Sequence, residues 1–155
     1  MYMNGRGRVM VTGASTGIGE ATALHLGELG FSVLAGVRRD EDAERLREQG
    51  LTPICLDVTV AEQLAAARAE IGDEPLAGLV NCAGITHSGP LEFVPVDDMR
   101  QQMEVNVIGQ LAVTQAFLDA LRAGRGRIVN LGSITGLLAT PITGPTGCRK
   151  SRWKE

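Results

Sequence analysis

The stretch Thr12-Gly13-Ala14-Ser15-Thr16-Gly17-Ile18-Gly19 joins an apolar run to a segment of helical period. Glycine, without Cβ, lets a chain turn sharply and lets a ligand approach the backbone. The first N–H groups of a helix have no intrahelical partner and favour anions. Strand, Gly-rich turn and helix in that order describe a cradle for a pyrophosphate, with Gly13, Ser15, Thr16, Gly17, Ile18 and Gly19 as candidate contacts. The alternative is a Gly-rich turn that holds no ligand. No Lys-Ser or Lys-Thr follows the last glycine, which excludes a P-loop. About 20 residues past such a loop, an Asp or Glu would bind a ribose 2′-hydroxyl. This chain offers Val37-Arg38-Arg39 there instead. Guanidiniums form bidentate, charge-assisted bonds to phosphate, so the residues favour NADP, through Arg38, with NAD as the alternative. Both arginines could equally be solvated residues opening the acidic helix DEDAERLRE.

A cradle of this kind needs a sheet to hold it. Apolar runs at residues 8–12, 31–36, 51–56, 78–81 and 127–131 read as buried strands. Residues 18–29, 40–49, 60–71 and 97–121 read as helices, with Gly30 and Gly50 as stops and Asp40 and Thr59 as N-caps. Strands apolar throughout, alternating with amphipathic helices, predict an α/β fold with a doubly wound parallel sheet, the Rossmann fold. No linker or repeat divides residues 1–155, so one dinucleotide-binding domain is expected, with 132–155 as a loop and an irregular tail.

Composition narrows the class. The chain has 155 residues, 15 Lys plus Arg against 18 Asp plus Glu, and a net charge of −3. A domain of this size buries a core without disulfides or metal. There is no basic excess for nucleic acid, no apolar run of about 18 residues for a bilayer, and no h-region for a secretory leader. No nucleic-acid or membrane partner is therefore expected. Cys55, Cys82 and Cys148 are odd in number and lack C-x-x-C spacing, which fits a reducing cytoplasm. Cys55 and Cys82 sit in apolar runs and are expected as small buried hydrophobes. His25 and His87 stand alone, and no metal site is expected.

The spacing T-G-x-x-x-G-x-G resembles that of the short-chain dehydrogenase/reductase family, and the resemblance covers nearly the whole chain. Asp57-Val58 is similar to the family's adenine contact. Asn81-Cys82-Ala83-Gly84 matches its N-N-A-G motif with Cys for the second Asn. Asn106, in MEVNVIGQ, falls at the active-site Asn, and Ser133 at the catalytic Ser. Residues 34–46 resemble retinol and hydroxysteroid dehydrogenases. The resemblance implies an NAD(P)-dependent oxidoreductase that interconverts an alcohol and a ketone or aldehyde. Its substrate would be a small molecule, with a hint of a lipophilic one, and full-length members are often homo-oligomers. Each residue also has its own reading. Asp57 could accept an adenine amine bond or stabilise the helix start after Thr59. Small Ala83 and Gly84 keep a crevice open. Asn106 is mildly unfavourable in a helix, which suits a polar role, though a solvated Asn would look the same. Ser133 could be a turn residue.

The resemblance breaks near the C-terminus. Thirteen residues past Ser133, where the family places its catalytic Tyr, stands Thr146. Four residues further, Lys150 matches the family Lys, which serves catalysis and cofactor alike. A phenol near pKa ~10 can be brought towards neutrality by a cation, whereas an aliphatic hydroxyl cannot. The single tyrosine, Tyr2, precedes the first strand. Past Lys150 the match stops, so the C-terminal part of the fold is expected to be missing, one sheet face uncovered, and this truncated copy inactive. The alternative is a non-catalytic dinucleotide-binding module. A lost base after codon 150 would account for the tail, because one inserted base can turn Lys-Ser-Arg-Trp-Lys-Glu into Lys-Phe-Ala-Val-Glu-Gly.

Overall fold

In the structure, a computed structural model that describes residues 5–133, five strands form one parallel sheet in the order β3-β2-β1-β4-β5. The strands are β1 Arg8–Thr12, β2 Ser32–Val37, β3 Thr52–Cys55, β4 Leu76–Asn81 and β5 Arg127–Asn130. Helices α1 Gly17–Glu28, α2 Asp40–Glu48 and α3 Ala61–Ile71 make the first three crossovers. The fourth consists of α4 Val96–Met103, a π turn at Glu104–Ile108 and α5 Gly109–Ala123. This is the doubly wound sheet expected, and its strand order reverses between β1 and β4.

Side chains alternate across the sheet, so each central strand feeds two cores. Met10, Leu34, Ile54 and Leu79 pack under α3 and α5 with Leu64, Ile71, Val113 and Phe117. Val9, Val11, Val33, Ala35 and Val80 pack under α1 and α2 with Ala23 and Leu46. The two edges are different. On β3 only Ile54 is fully buried, and Cys55 is exposed, contrary to the expectation of a small buried hydrophobe. An edge strand covered on one face exposes every second residue, which a short apolar run does not reveal. All four residues of β5 are exposed, Ile128 at 41% and Val129 at 51%.

The helix expected at residues 97–121 is interrupted. Asn106 turns its amide to the backbone of Ile85 inside the π turn, and Gly109 admits Val58, whose Cγ2 would lie 2.6 Å from an added Cβ. The expected caps also differ. Asp40 is the first residue of α2, behind Arg39 at the N-cap, and Val60 rather than Thr59 precedes α3. Thr59 instead turns towards Asp57, donating both its hydroxyl, at 2.6 Å, and its N–H, at 2.9 Å, to Oδ1. Gly30 and Gly50 follow α1 and α2 as expected, each helix closing with an N–H returned from the next residue, Phe31 to Leu26 and Leu51 to Leu46. Among the described residues, no helix is long and apolar enough to cross a membrane. Most of the segment 132–155 lies outside the described residues.

Candidate functional site

A cleft of ≈ 350 Å³ opens where the strand order reverses, at the C-terminal ends of the strands. Doubly wound sheets bind ligands at this point. Gly13, Ser15, Thr16, Ile18 and Gly19 line one side of it, Arg38, Asp57 and Val58 another, and Cys82, Ala83 and Gly84 the β4 end. The structure thus brings together the candidates drawn from four separate stretches of sequence. Gly17 stands in the same loop, while Asn81 and Asn106 are buried and absent from the lining. Ser133 follows Gly132, which lines the cleft. Thr146 and Lys150 lie outside the described residues.

The loop is seated by close backbone contacts. Gly13, at φ 64°, rests on β4 so closely that a Cβ would lie 2.7 Å from Ala83 Cα. Ala14 N–H donates to Gly36 O at 2.9 Å. The N–H groups of Cys82 and Ala83 both donate to Thr12 Oγ1 at 3.1 Å, which ties the ends of β1 and β4. A Cβ on Gly19 would meet Gly13 O at 2.2 Å, so α1 begins pressed against the loop. Thr16, the N-cap of α1, makes no side-chain capping bond, and an added Cβ at Gly17, at φ 61°, would meet nothing. An uncapped helix start beside an open cleft leaves N–H donors for an anion, so these residues fit the pyrophosphate of a dinucleotide.

The two arginines after β2 part company. Arg39 is bound to Asp42, through Nε at 2.8 Å and Nη2 at 3.2 Å. Arg38 is 68% exposed at the cleft, with Nη1 4.0 Å from Asp57 Oδ2. Burial pushes the Asp57 carboxyl up, but the hydroxyl and N–H of Thr59 and the charge of Arg38 outweigh it and hold the group below the usual carboxylate range. Thr59 occupies Oδ1, leaving Oδ2 towards Arg38, and Gln63 Oε1 accepts the Asp57 N–H at 2.6 Å.

Behind the β4 end, Asn106 grips Ile85 twice, accepting its N–H at 2.8 Å and donating to its carbonyl at 2.7 Å. Gly84 is the small residue this needs, since a Cβ there would lie 3.0 Å from Asn106 Oδ1. Asn81 donates to Asn130 Oδ1 at 2.8 Å and Thr114 Oγ1 at 3.3 Å, linking β4 to β5 and α5. Burial pushes the Cys82 thiol up to about 11, so it stays protonated at neutral pH. His87 lies 3.3 Å from Asp98 and 3.2 Å from Gln101, joining the loop after β4 to α4. No cluster of potential metal ligands occurs among the described residues.

Sequence reasoning missed Thr12, Gln63 and Arg45. Thr12 stood in the loop motif, but only the β1–β4 neighbourhood gives its hydroxyl two donors. Gln63 and Arg45 carry no sequence signal, since a polar residue on a crossover helix is usually solvated.

The family model described as short chain dehydrogenase matches residues 8–150. The chain is 42% identical over 139 residues to 17-beta-hydroxysteroid dehydrogenase type 6 of Bos taurus, covering 84% of this chain and 44% of that protein. It is 41% identical over 143 residues to 3-amino-tetrahydro-pyrrolizinone reductase of Xenorhabdus hominickii, covering 90% of this chain and 50% of that one. The chain thus spans about half the length of these curated relatives. Among solved structures, a gluconate 5-dehydrogenase from Burkholderia cenocepacia J2315, in complex with NADP and tartrate, superposes with a TM-score of 0.84 at 31% identity. That match covers 97% of this chain and 62% of the other.

Proposed function

Because the chain belongs to the short-chain dehydrogenase family, we propose that its crevice binds NADP and serves an oxidoreductase that interconverts a small, lipophilic alcohol and its ketone or aldehyde. The observation that carries this reading is the uncapped start of α1 opening on the switch-point cleft beside the exposed Arg38. In this reading the N–H groups from Ser15 to Gly19 hold the pyrophosphate and Arg38 pairs with the 2′-phosphate. Asp57 Oδ2 accepts the adenine amine, with Val58 beside it. Ala83 and Gly84 keep the nicotinamide side open, Asn81 behind them ties β4 to β5, and Asn106 fixes that wall through Ile85. The bound cofactor supplies or accepts the hydride. Ser133 polarises the substrate oxygen, and Lys150, at the position of the family Lys, serves cofactor binding and proton transfer. The relative named for a hydroxysteroid supports a lipophilic substrate, and the free Cys55 and Cys82 suit a reducing cytoplasm.

Thr146 favours a second reading for the chain as it stands. An aliphatic hydroxyl cannot exchange the proton that a phenol would, and losing a positioned acid costs roughly 10²–10⁴ in rate. The 155-residue chain then binds dinucleotide without turnover. A fluorescence titration tests the cofactor claim. One charge-assisted hydrogen bond is worth about 1.5–3 kcal/mol, so Arg38→Ala should weaken NADPH roughly ten- to a hundredfold and spare NADH. Equal losses for both cofactors would remove the 2′-phosphate role. Alcohol or ketone turnover by the parent chain, abolished in Ser133→Ala, would overturn the non-catalytic reading.

A further inference from the structure

Arg45 sits on α2, outside the cleft lining, yet its guanidinium reaches the glycine loop. Nη2 donates to the carbonyl of Ser15 at 2.6 Å and lies 3.5 Å from Asp42 Oδ1, while Nη1 donates to Glu20. Glu20 is the acidic residue in the first turn of α1. We propose that Arg45 is a positioning residue for the dinucleotide phosphates, orienting the Ser15–Thr16 peptide and neutralising Glu20 at the start of α1. The inference rests on the crevice being a dinucleotide site.

A trans peptide is planar, and no cis bond occurs here, so a Ser15 carbonyl held towards Arg45 points the Thr16 N–H the opposite way. Thr16 lines the cleft, and the Ser15–Thr16 peptide lies between positions seated by backbone contacts, Gly13 and Ala14 before it and Gly19 after it. Charge acts in the same direction. A lone carboxylate in the first turn would repel phosphates arriving at the same helix end, at separations too short for salt to screen. Pairing Glu20 with a guanidinium removes that repulsion. Asp42, buried and ion-paired with Arg39 as well, anchors the arrangement from α2.

Titration of NADPH and NADH into the parent, Arg45→Met and Arg45→Met/Glu20→Gln chains tests this. Arg45→Met should weaken both dinucleotides by about tenfold and leave their ratio unchanged, unlike Arg38→Ala. Adding Glu20→Gln should recover several-fold of the loss, which a packing role for Arg45 would not allow. Arg8→Met, which removes the ion pair with Glu74, is the control that lowers melting temperature without moving affinity. Should Arg45→Met fail to fold, Arg45→Lys carries the test, with a loss of a few-fold expected because charge remains and the fork is lost. Parent-like affinity in the folded Arg45 variant, or no recovery with Glu20→Gln, overturns the inference alone. A parent chain that binds neither dinucleotide overturns the crevice reading and this inference with it.

Discussion

Across the crevice, the β1–β2 wall is fastened by charges and the β4–β5 wall chiefly by neutral amides and hydroxyls. On the first, Asp42 joins Arg39 to Arg45, Arg45 reaches Glu20 and Ser15 O, and Asp57 faces Arg38. On the second, Thr12 takes the N–H groups of Cys82 and Ala83, Asn106 grips Ile85, and Asn81 joins Asn130. Burial divides the walls in the same way. β1, RVMVT, is buried in four of its five residues, whereas β5, RIVN, is exposed in all four. Position in the sheet, rather than apolar content, decides burial, and a charged fastening responds to pH where an amide does not.

The difference in burial predicts the largest effect. Met10, fully buried between β2, β4 and the α3–α5 layer, should lose about 2–5 kcal/mol on Met10→Ala. Val129→Ala, at a half-exposed site, should stay within about 0.5 kcal/mol. Urea unfolding of the two variants measures both. Comparable losses would mean that β5 is covered as β1 is, and the contrast between the strands would not exist in solution.

Glycines give a second, smaller contrast. An added Cβ at Gly19 meets the Gly13 carbonyl, which is backbone and cannot move alone. Gly19→Ala should cost roughly 3 kcal/mol and remove dinucleotide binding. At Gly84 the obstacle is the Asn106 amide at 3.0 Å, a side chain able to give, so Gly84→Ala should cost roughly 1 kcal/mol. A Gly84 variant as unstable as the Gly19 variant would show that the amide grip on Ile85 is as rigid as the loop.

Strand identity, crossover order and the glycine loop were legible because each rests on local pattern: apolar runs, helical period, and glycines between strand and helix. That Arg38 and Asp57 meet at one cleft was legible for the same reason, since strand ends converge on one edge of a parallel sheet. Cys55 was not, because an edge strand and a central strand read alike over four residues. The π turn at Asn106 was hidden as well, since the residue that accounts for it, Ile85, lies 21 positions away. Arg45 shows the limit most plainly. Its partners are on another helix and in another loop, and nothing in DEDAERLRE distinguishes it from Arg47.

The smallest effect separates the walls by pH. Arg39, hydrogen-bonded to Asp42, holds that carboxyl below the usual carboxylate range against the opposing effect of burial, and Asp57 is likewise depressed. A carboxyl whose folded pKa lies below its unfolded value of about 3.9 contributes stability that is fully present above that value. The contribution is lost as pH falls through the folded pKa. Asp42→Asn should therefore melt below the parent at pH 7, and the gap should close as the pH is lowered beneath about 4. Thr114→Val, which removes a hydroxyl of the β4 wall that bonds Gln110 O and Asn81, has no titrating partner in that contact and should keep a constant gap. Melting curves between pH 7 and pH 2.5 decide the matter. A gap that closes for both variants, or for neither, would mean that the charged fastening of the first wall contributes nothing the neutral one does not.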